Sequence, residues 1–316
     1  MDLHARIVSS IAILLALIGF AALLRRTGLV TERHGEIFSK LITRITLPAL
    51  ILFSLARTEV RLTDVELALI FAGATLVCLI LGWLIARSLR LDSARRGAVI
   101  LAAGFGNSSM LGFALVNEAF PADDAALTEA AVLSSIGVQP LVFTLGALIA
   151  MYYGTRETSP GSRIAHTPRY FRSPIFLAFA GGIAYSVLLG PMENPVFASV
   201  MDGVHIVGAA NTFLVVMTVG LMLDPRGMGT IVPIALLVAV VKLVLMPILA
   251  WLPTQTMALP EWQTQVQVLE ASMPCGLLVV VLASAYGCDA RLASRLVVAT
   301  TTAAVITVPI AFELLH

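Results

Sequence analysis

Long runs of apolar residues, separated by short polar stretches, follow one another along the whole chain. Each is about 17 to 25 residues long, enough for an α-helix to cross a hydrocarbon core about 30 Å thick. There are ten such runs, at residues 7–24, 37–56, 65–87, 97–119, 126–151, 174–191, 201–223, 229–252, 263–286 and 292–312. Stretches such as IAILLALIGFAALL at residues 11–24 lack the alternation of a membrane β-strand. The pattern predicts an all-α membrane protein with ten transmembrane helices.

The composition agrees with a membrane protein and argues against several classes of function. Of 316 residues, 59% are hydrophobic and 12% charged, against about 25% charged in soluble domains. A net charge of +1 without a basic run argues against nucleic acid as a partner and leaves the lipid bilayer. The scattered Cys78, Cys275 and Cys288 have no disulfide or zinc spacing, and we expect no metal or cofactor. The five histidines lie at chain ends or in loops, so no catalytic pair is visible and an enzyme is not expected.

The arginines predict the orientation. With ten spans, fourteen arginines fall in one set of loops and three in the other. Because basic residues in short loops stay on the cytoplasmic side, we expect both termini outside, on the periplasmic face of a bacterial inner membrane. Lys40, Arg44 and Lys242 lie inside proposed spans, and Lys40 and Arg44 are expected to snorkel towards lipid headgroups.

The chain also divides into two similar halves. Residues 152–173 contain Pro160, Gly161 and Pro168 and predict a cytoplasmic linker between halves 1–151 and 174–316. Adding 167 to the centres of the first five runs gives the centres of the last five. Because five spans is an odd number, the second half would enter from the opposite side, as in transporters with inverted repeats. Even spacing of ten helices would give a similar offset by chance.

The fourth and ninth runs, which correspond under this offset, carry the clearest interruptions. The fourth contains GFGNSSMLGF at residues 104–113, where Gly104, Gly106 and Gly112 weaken the helix. The ninth contains EASMPCG at residues 270–276, where Pro274 cannot donate a hydrogen bond to the carbonyl of Glu270. Both runs are therefore predicted to be broken helices, although glycine also serves close packing and proline often only kinks a helix.

A restarted helix presents free N–H groups and a partial positive charge at its N-terminus. We expect Asn107, Ser108 and Ser109 to cap one restart and Pro274, Cys275 and Gly276 to begin the other. Together they predict a site for a small anion, most simply a carboxylate, with no full positive charge beside it.

Two further polar residues are candidates for the transport pathway. Glu270 is an acid inside a proposed span and could bind a proton or sodium ion, or could lie solvated near the outer boundary. Asn211, in the middle of the seventh run, could line the pathway or bond to a neighbouring helix.

Three motifs resemble the auxin efflux carrier family. They are NSSMLGFAL at residues 107–115, MPCGLLVVVLASAY at residues 273–286 and LPAL at residues 47–50. The resemblance implies two inverted five-helix repeats, crossing broken helices, a mobile transport domain and an organic anion bound near Asn107 and Pro274. Ala114 stands where the family often has proline, which leaves the glycines and Asn107 to break the fourth helix. The run EASMPCG does not match that of related bile acid symporters, so sodium coupling is unsupported.

The function expected is therefore a carrier that moves small organic anions, such as malonate or auxin-like acids, by alternating access. A sodium-coupled carrier and a membrane sensor that binds an anion without moving it are the alternatives. A homodimer is compatible with the sequence.

Overall fold

A computed structural model describes residues 3–57, 62–121, 123–154, 172–188, 195–224 and 227–315. Most of the predicted linker at residues 152–173 lies outside these described residues. The described chain is helical apart from short connections. In chain order the helices are Leu3–Arg26, Glu32–Leu41, Leu47–Arg57, Leu62–Ser88, Ser93–Gly104, Phe113–Ala119, Asp124–Val132, Gln139–Leu141, Ala147–Gly154, Pro174–Leu188, Pro195–Met222, Val232–Val240, Met246–Trp251, Glu261–Ala271, Leu278–Tyr286 and Ala290–Leu314.

Six helical stretches within the described residues are long and apolar enough to cross a membrane. They cover residues 8–26, 65–88, 125–154, 199–222, 229–256 and 290–314. These stretches confirm an all-α membrane protein that passes through the bilayer several times. The count of ten crossings and the inverted arrangement of the halves stay predictions.

Turns of π-helix join several helices end to end. They lie at Ile42–Thr46, Ser108–Gly112, Leu133–Val138, Val142–Gly146 and Val241–Leu245. Three of them contain the carbonyl that lies four residues before Pro48, Pro140 or Pro247. Because proline lacks the N–H that would bond to that carbonyl, the helix accommodates it by widening locally. These prolines therefore widen continuous helices without breaking them.

The core surrounds the two interrupted stretches. Residues Gly97–Gly104 and Val266–Ala271 are all buried. The helix Leu62–Ser88 packs along Ser93–Gly104, and Leu3–Arg26 packs along Pro195–Met222. Large apolar side chains on the outer helices, such as Phe20, Leu69 and Ile206, are exposed and suit contact with lipid.

Candidate functional site

The first broken segment comprises residues 93–119. Its opening helix starts with a cap in which the side chain of Asp92 accepts a bond of 3.0 Å from the N–H of Arg95, and it ends at Gly104. The chain is then extended at Phe105, and helical structure returns at Ser108 in a π-turn that runs to Gly112. Gly104 and Gly112 are thus helical, and the interruption itself is Phe105–Asn107. The wide turn forms although Ala114 replaces the proline of the family pattern.

The second broken segment comprises residues 261–286. Its first helix ends at Ala271 and its second begins at Leu278. Between them, Pro274 lies in a non-helical stretch of six residues, where its missing N–H interrupts no helical hydrogen bond. This interruption is twice as long as the first and is buried throughout.

The two interruptions cross and bond to each other through their backbones. The N–H of Asn107 donates to the carbonyl of Pro274 at 2.9 Å, and the N–H of Gly276 donates to the carbonyl of Phe105 at 2.9 Å. Gly106 and Cys275 pair between them in antiparallel fashion. A Cβ on Gly276 would lie 2.8 Å from the carbonyl oxygen of Gly106. Glycine at position 276 is therefore what lets the two chains approach this closely.

A cavity of about 300 Å³ opens beside the crossing. Its walls come from both interruptions and from three further helical stretches, around residues 47–51, 131–143 and 211–215. Most lining residues are apolar. The polar ones are Asn107, Ser108, Ser109, Ser134, Ser135, Gln139, Asn211 and Thr212.

The structure brings most of the predicted site residues to this cavity. Asn107, Ser108, Ser109 and Gly276 line it, and so does the pathway candidate Asn211. Asn211 accepts a hydrogen bond of 3.0 Å from the hydroxyl of Thr46, which fixes its amide in the wall.

Pro274 and Cys275, by contrast, are not among the lining residues. The thiol of Cys275 donates to the carbonyl of Ala102 at 2.9 Å, and its N–H donates to the hydroxyl of Thr300 at 3.2 Å. Because both groups are engaged on the buried side of the crossing, Cys275 faces away from the cavity.

The N–H groups that remain free at the two helix starts are not all those expected from the sequence. The N–H groups of Asn107, Cys275 and Gly276 are all used within the protein, so the expectation that the last two are free is wrong. The first N–H groups to bond back into the restarted helices belong to Leu111 and Val279. Within the described part of the chain, the N–H groups left without a partner at the helix starts are therefore those of Ser108–Met110 and Leu277–Leu278, and all five residues line the cavity.

The side chain of Asn107 is buried at the cavity and has an unused donor. It makes no capping bond to the restarted helix, contrary to the expectation from its residue type. Its amide nitrogen Nδ2 has no hydrogen-bond partner among the described residues. A buried amide in this position offers two N–H groups to whatever occupies the cavity.

Glu270 lies on another side of the first broken segment. It is 1% exposed, and its carboxyl group packs against Gly112, where a Cβ would collide with it. Neither carboxyl oxygen has a hydrogen-bond partner within the described part of the chain. One turn earlier on the same helix, the oxygen Oε1 of buried Gln267 also lacks one. The sequence indicated Glu270 as the one candidate for a buried acid, but Glu129 is buried in the structure as well.

Sequence reasoning missed five polar residues beside the crossing: Ser134, Ser135, Gln139, Thr212 and Lys242. Ser134, Ser135 and Gln139 belong to a stretch with two π-turns, and the run SSIGVQP was the available signal. Lys242 is 1% exposed, and its Nζ lies 2.9 Å from the Cβ position of Gly106. The expectation that no cationic side chain lies beside the site is therefore wrong. The signal for Lys242 was a lone lysine in the apolar run 229–252.

A helical membrane protein whose broken helices cross beside a partly polar cavity belongs to the class of transporters. Comparison with known families agrees. The family described as "Membrane transport protein", which is the auxin efflux carrier family, matches residues 7–166 and 164–312. The chain belongs to this family, and it is a transporter, not an enzyme.

Two curated relatives match over nearly the full length. One is an uncharacterized transporter of Methanothermobacter thermautotrophicus, 26% identical over 306 residues and covering 94% of each chain. The other is an uncharacterized transporter of Methanocaldococcus jannaschii, 22% identical over 297 residues and covering 92% of each chain. Both support transport and leave the substrate open.

Proposed function

We propose that the protein is a carrier that moves small organic anions, such as malonate or auxin-like acids, by alternating access. The observation that carries this proposal is the cavity at the crossing, into which the starts of both restarted helices bring their unbonded N–H groups. Helix starts favour anions, and the amide of Asn107 adds two donors at the same place.

The strength of these interactions suits reversible binding. A partly buried helix terminus contributes up to about 2 kcal/mol to holding an anion. A hydrogen bond to a charged group contributes about 1.5 to 3 kcal/mol. Two termini and one amide therefore support binding weak enough for release, and the apolar remainder of the cavity would select the organic part of the substrate.

The proposal includes ten membrane crossings in two inverted repeats. Each interruption gives one backbone N–H to the other and accepts one in return, as a crossing of two inverted repeats would. We also propose that both termini lie outside. Arginines that the sequence assigns to the cytoplasmic side meet at one helix end, since Arg25 donates to the carbonyl of Leu221 at 2.7 Å and Arg295 binds Asp224 at 2.8 Å, both at the end of the helix Pro195–Met222.

Glu270 is proposed as the site of the coupling ion. A buried carboxylate without donors is strongly disfavoured, so the group requires a proton or a bound cation. Its contact with Gly112 joins it to the first broken segment, whose cavity side carries Asn107. Binding of an ion at Glu270 can thereby influence the anion side of the same segment.

A counterflow assay in liposomes tests the proposal. Vesicles loaded with unlabelled malonate or indole-3-acetate should accumulate the same labelled acid. Asn107→Leu should reduce exchange to the background of empty liposomes, because the donors facing the anion are lost. The matched control is Asn117→Leu, the same change at an exposed position of the same segment.

Three results would count against the proposal. Wild-type exchange in Asn107→Leu would remove Asn107 from the site. Equal loss in Asn117→Leu would show that the change acts through folding. Saturable binding by the wild type without exchange would indicate the alternative function, a sensor.

A further inference from the structure

Lys242 lies in the membrane core beside the crossing and outside the cavity. It is 1% exposed and belongs to the π-turn Val241–Leu245, within an otherwise apolar helix. Its Cε and Nζ each lie 2.9 Å from the point where Gly106 would carry a Cβ. Gly106 itself lines the cavity, whereas Lys242 is not among the lining residues. A single glycine therefore separates the lysine from the cavity.

Lys242 has no acidic partner among the described residues, so burial by itself disfavours its ammonium form, and an anion in the cavity would supply the missing opposite charge. The carbonyl oxygen of Met273, just beyond the C-terminal end of the helix Glu261–Ala271, lies 3.5 Å from the same Cβ point. The thiol groups of Cys78 and Cys275 lie close enough to Lys242 to interact with it electrostatically. Lys242 does not bond to Glu270, whose carboxyl oxygens have no hydrogen-bond partner among the described residues.

We propose that Lys242 determines the charge specificity of the carrier. Its ammonium group lies behind Gly106 and provides a formal positive charge next to the cavity. This charge makes the cavity prefer an anion to a neutral molecule of the same shape. This inference rests on the proposed function and names a residue for it.

The physical basis is a fixed charge in a medium of low dielectric constant. Helix termini and amides orient a carboxylate, but they also bind neutral carbonyl compounds, so they discriminate weakly. A full charge close to the cavity acts only on the net charge of the ligand, and its effect is much larger here than in water. Because the lysine does not itself line the cavity, removing its charge should leave the shape of the site unchanged.

The test compares acids with their amides, which have nearly the same shape but no charge. Purified protein in lipid nanodiscs is titrated with indole-3-acetate and indole-3-acetamide, and with malonate and malonamide. The variants are Lys242→Met and Lys242→Gln, which remove the charge, and Lys242→Arg, which keeps it. Lys40→Met is the matched control, because Lys40 is the other lysine of the chain and is exposed.

We expect both neutral variants to lose about tenfold or more in affinity for the anion, with unchanged affinity for the amide. Lys242→Arg and Lys40→Met should keep the wild-type ratio of the two affinities. A general loss of packing would lower both affinities together, so a parallel loss overturns the inference. Wild-type anion affinity in Lys242→Met overturns the inference alone. A wild-type protein that binds none of these acids overturns the proposed function and the inference with it.

Discussion

The first broken segment turns polar side chains towards the cavity, whereas the second contributes backbone and apolar side chains. Asn107, Ser108 and Ser109 follow directly on the first interruption. The second places Gly276, Leu277 and Leu278 at the same cavity. The interruptions also differ in length, because a glycine and an asparagine open the first while a proline opens the second.

The backbones and the side chains of the crossing have different roles. The backbones are related by reciprocal hydrogen bonds, so both segments contribute to the geometry in a similar way. The side chains of the two segments differ in polarity. Those that can bond to a ligand belong mainly to the first segment. Buried ionisable groups lie to the sides, with Glu270 against Gly112 and Lys242 against Gly106.

Separating the two backbones should impair the protein most. Gly276→Ala would place a Cβ 2.8 Å from the carbonyl oxygen of Gly106, and backbone cannot move aside as a flexible side chain can. We expect loss of exchange and destabilisation by about 1 to 3 kcal/mol, measured by counterflow and by thermal unfolding in detergent.

Gly203→Ala is the matched control for this change. Nothing lies within 4 Å of the corresponding Cβ position, and the residue is within a helix. The control should be neutral or more stable by up to about 1 kcal/mol. An unfolding temperature equal to that of the wild type in Gly276→Ala would show that the crossing is looser than its geometry indicates.

Glu270, on the second broken segment, is expected to determine the pH dependence of uptake. Glu270→Gln keeps the shape of the side chain and removes its ionisation, so the rate of anion uptake should no longer vary between acid and neutral pH. Glu261→Gln, at an exposed position of the same helix, should keep the wild-type profile. An unchanged profile in Glu270→Gln would argue for transport without coupling through this residue.

The smallest effect is expected away from the crossing. Thr46→Val removes the donor that holds Asn211 in the cavity wall and should cost about 0.5 to 1.5 kcal/mol in unfolding free energy, with exchange reduced less than in Asn107→Leu. Thr302→Val, exposed and bonded only within its own helix, should cost less. Complete loss of exchange in Thr46→Val would move the centre of the site towards Asn211.

Much of the fold could be predicted from the apolar pattern. A helix in lipid must satisfy its own backbone, so long apolar runs predict helices without reference to tertiary structure. The interruptions were also visible, because Pro274 and the sequence around Gly106 act locally on the helix. The π-turns were not predicted, although Pro48, Pro140 and Pro247 marked three of them.

The errors concern properties that arise only when segments meet. Gly276 and Cys275 were expected to offer free N–H groups, but these donors bond to Phe105 and Thr300 of other segments. Gly104 was taken as part of the break, although it ends a regular helix and packs closely against Leu79. The position of Lys242 depends on the packing of its helix against the crossing, which no local pattern encodes.

Because the side-chain N–H groups of Asn107 have no partner among the described residues, a ligand that bonds to them should also raise the thermal stability of the protein. A ligand that accepts from this buried amide stabilises the folded carrier by its binding free energy, about 2.7 kcal/mol when present at a hundred times its dissociation constant. The melting temperature of the purified protein should therefore rank candidate cargoes before any of them has been seen to cross a membrane.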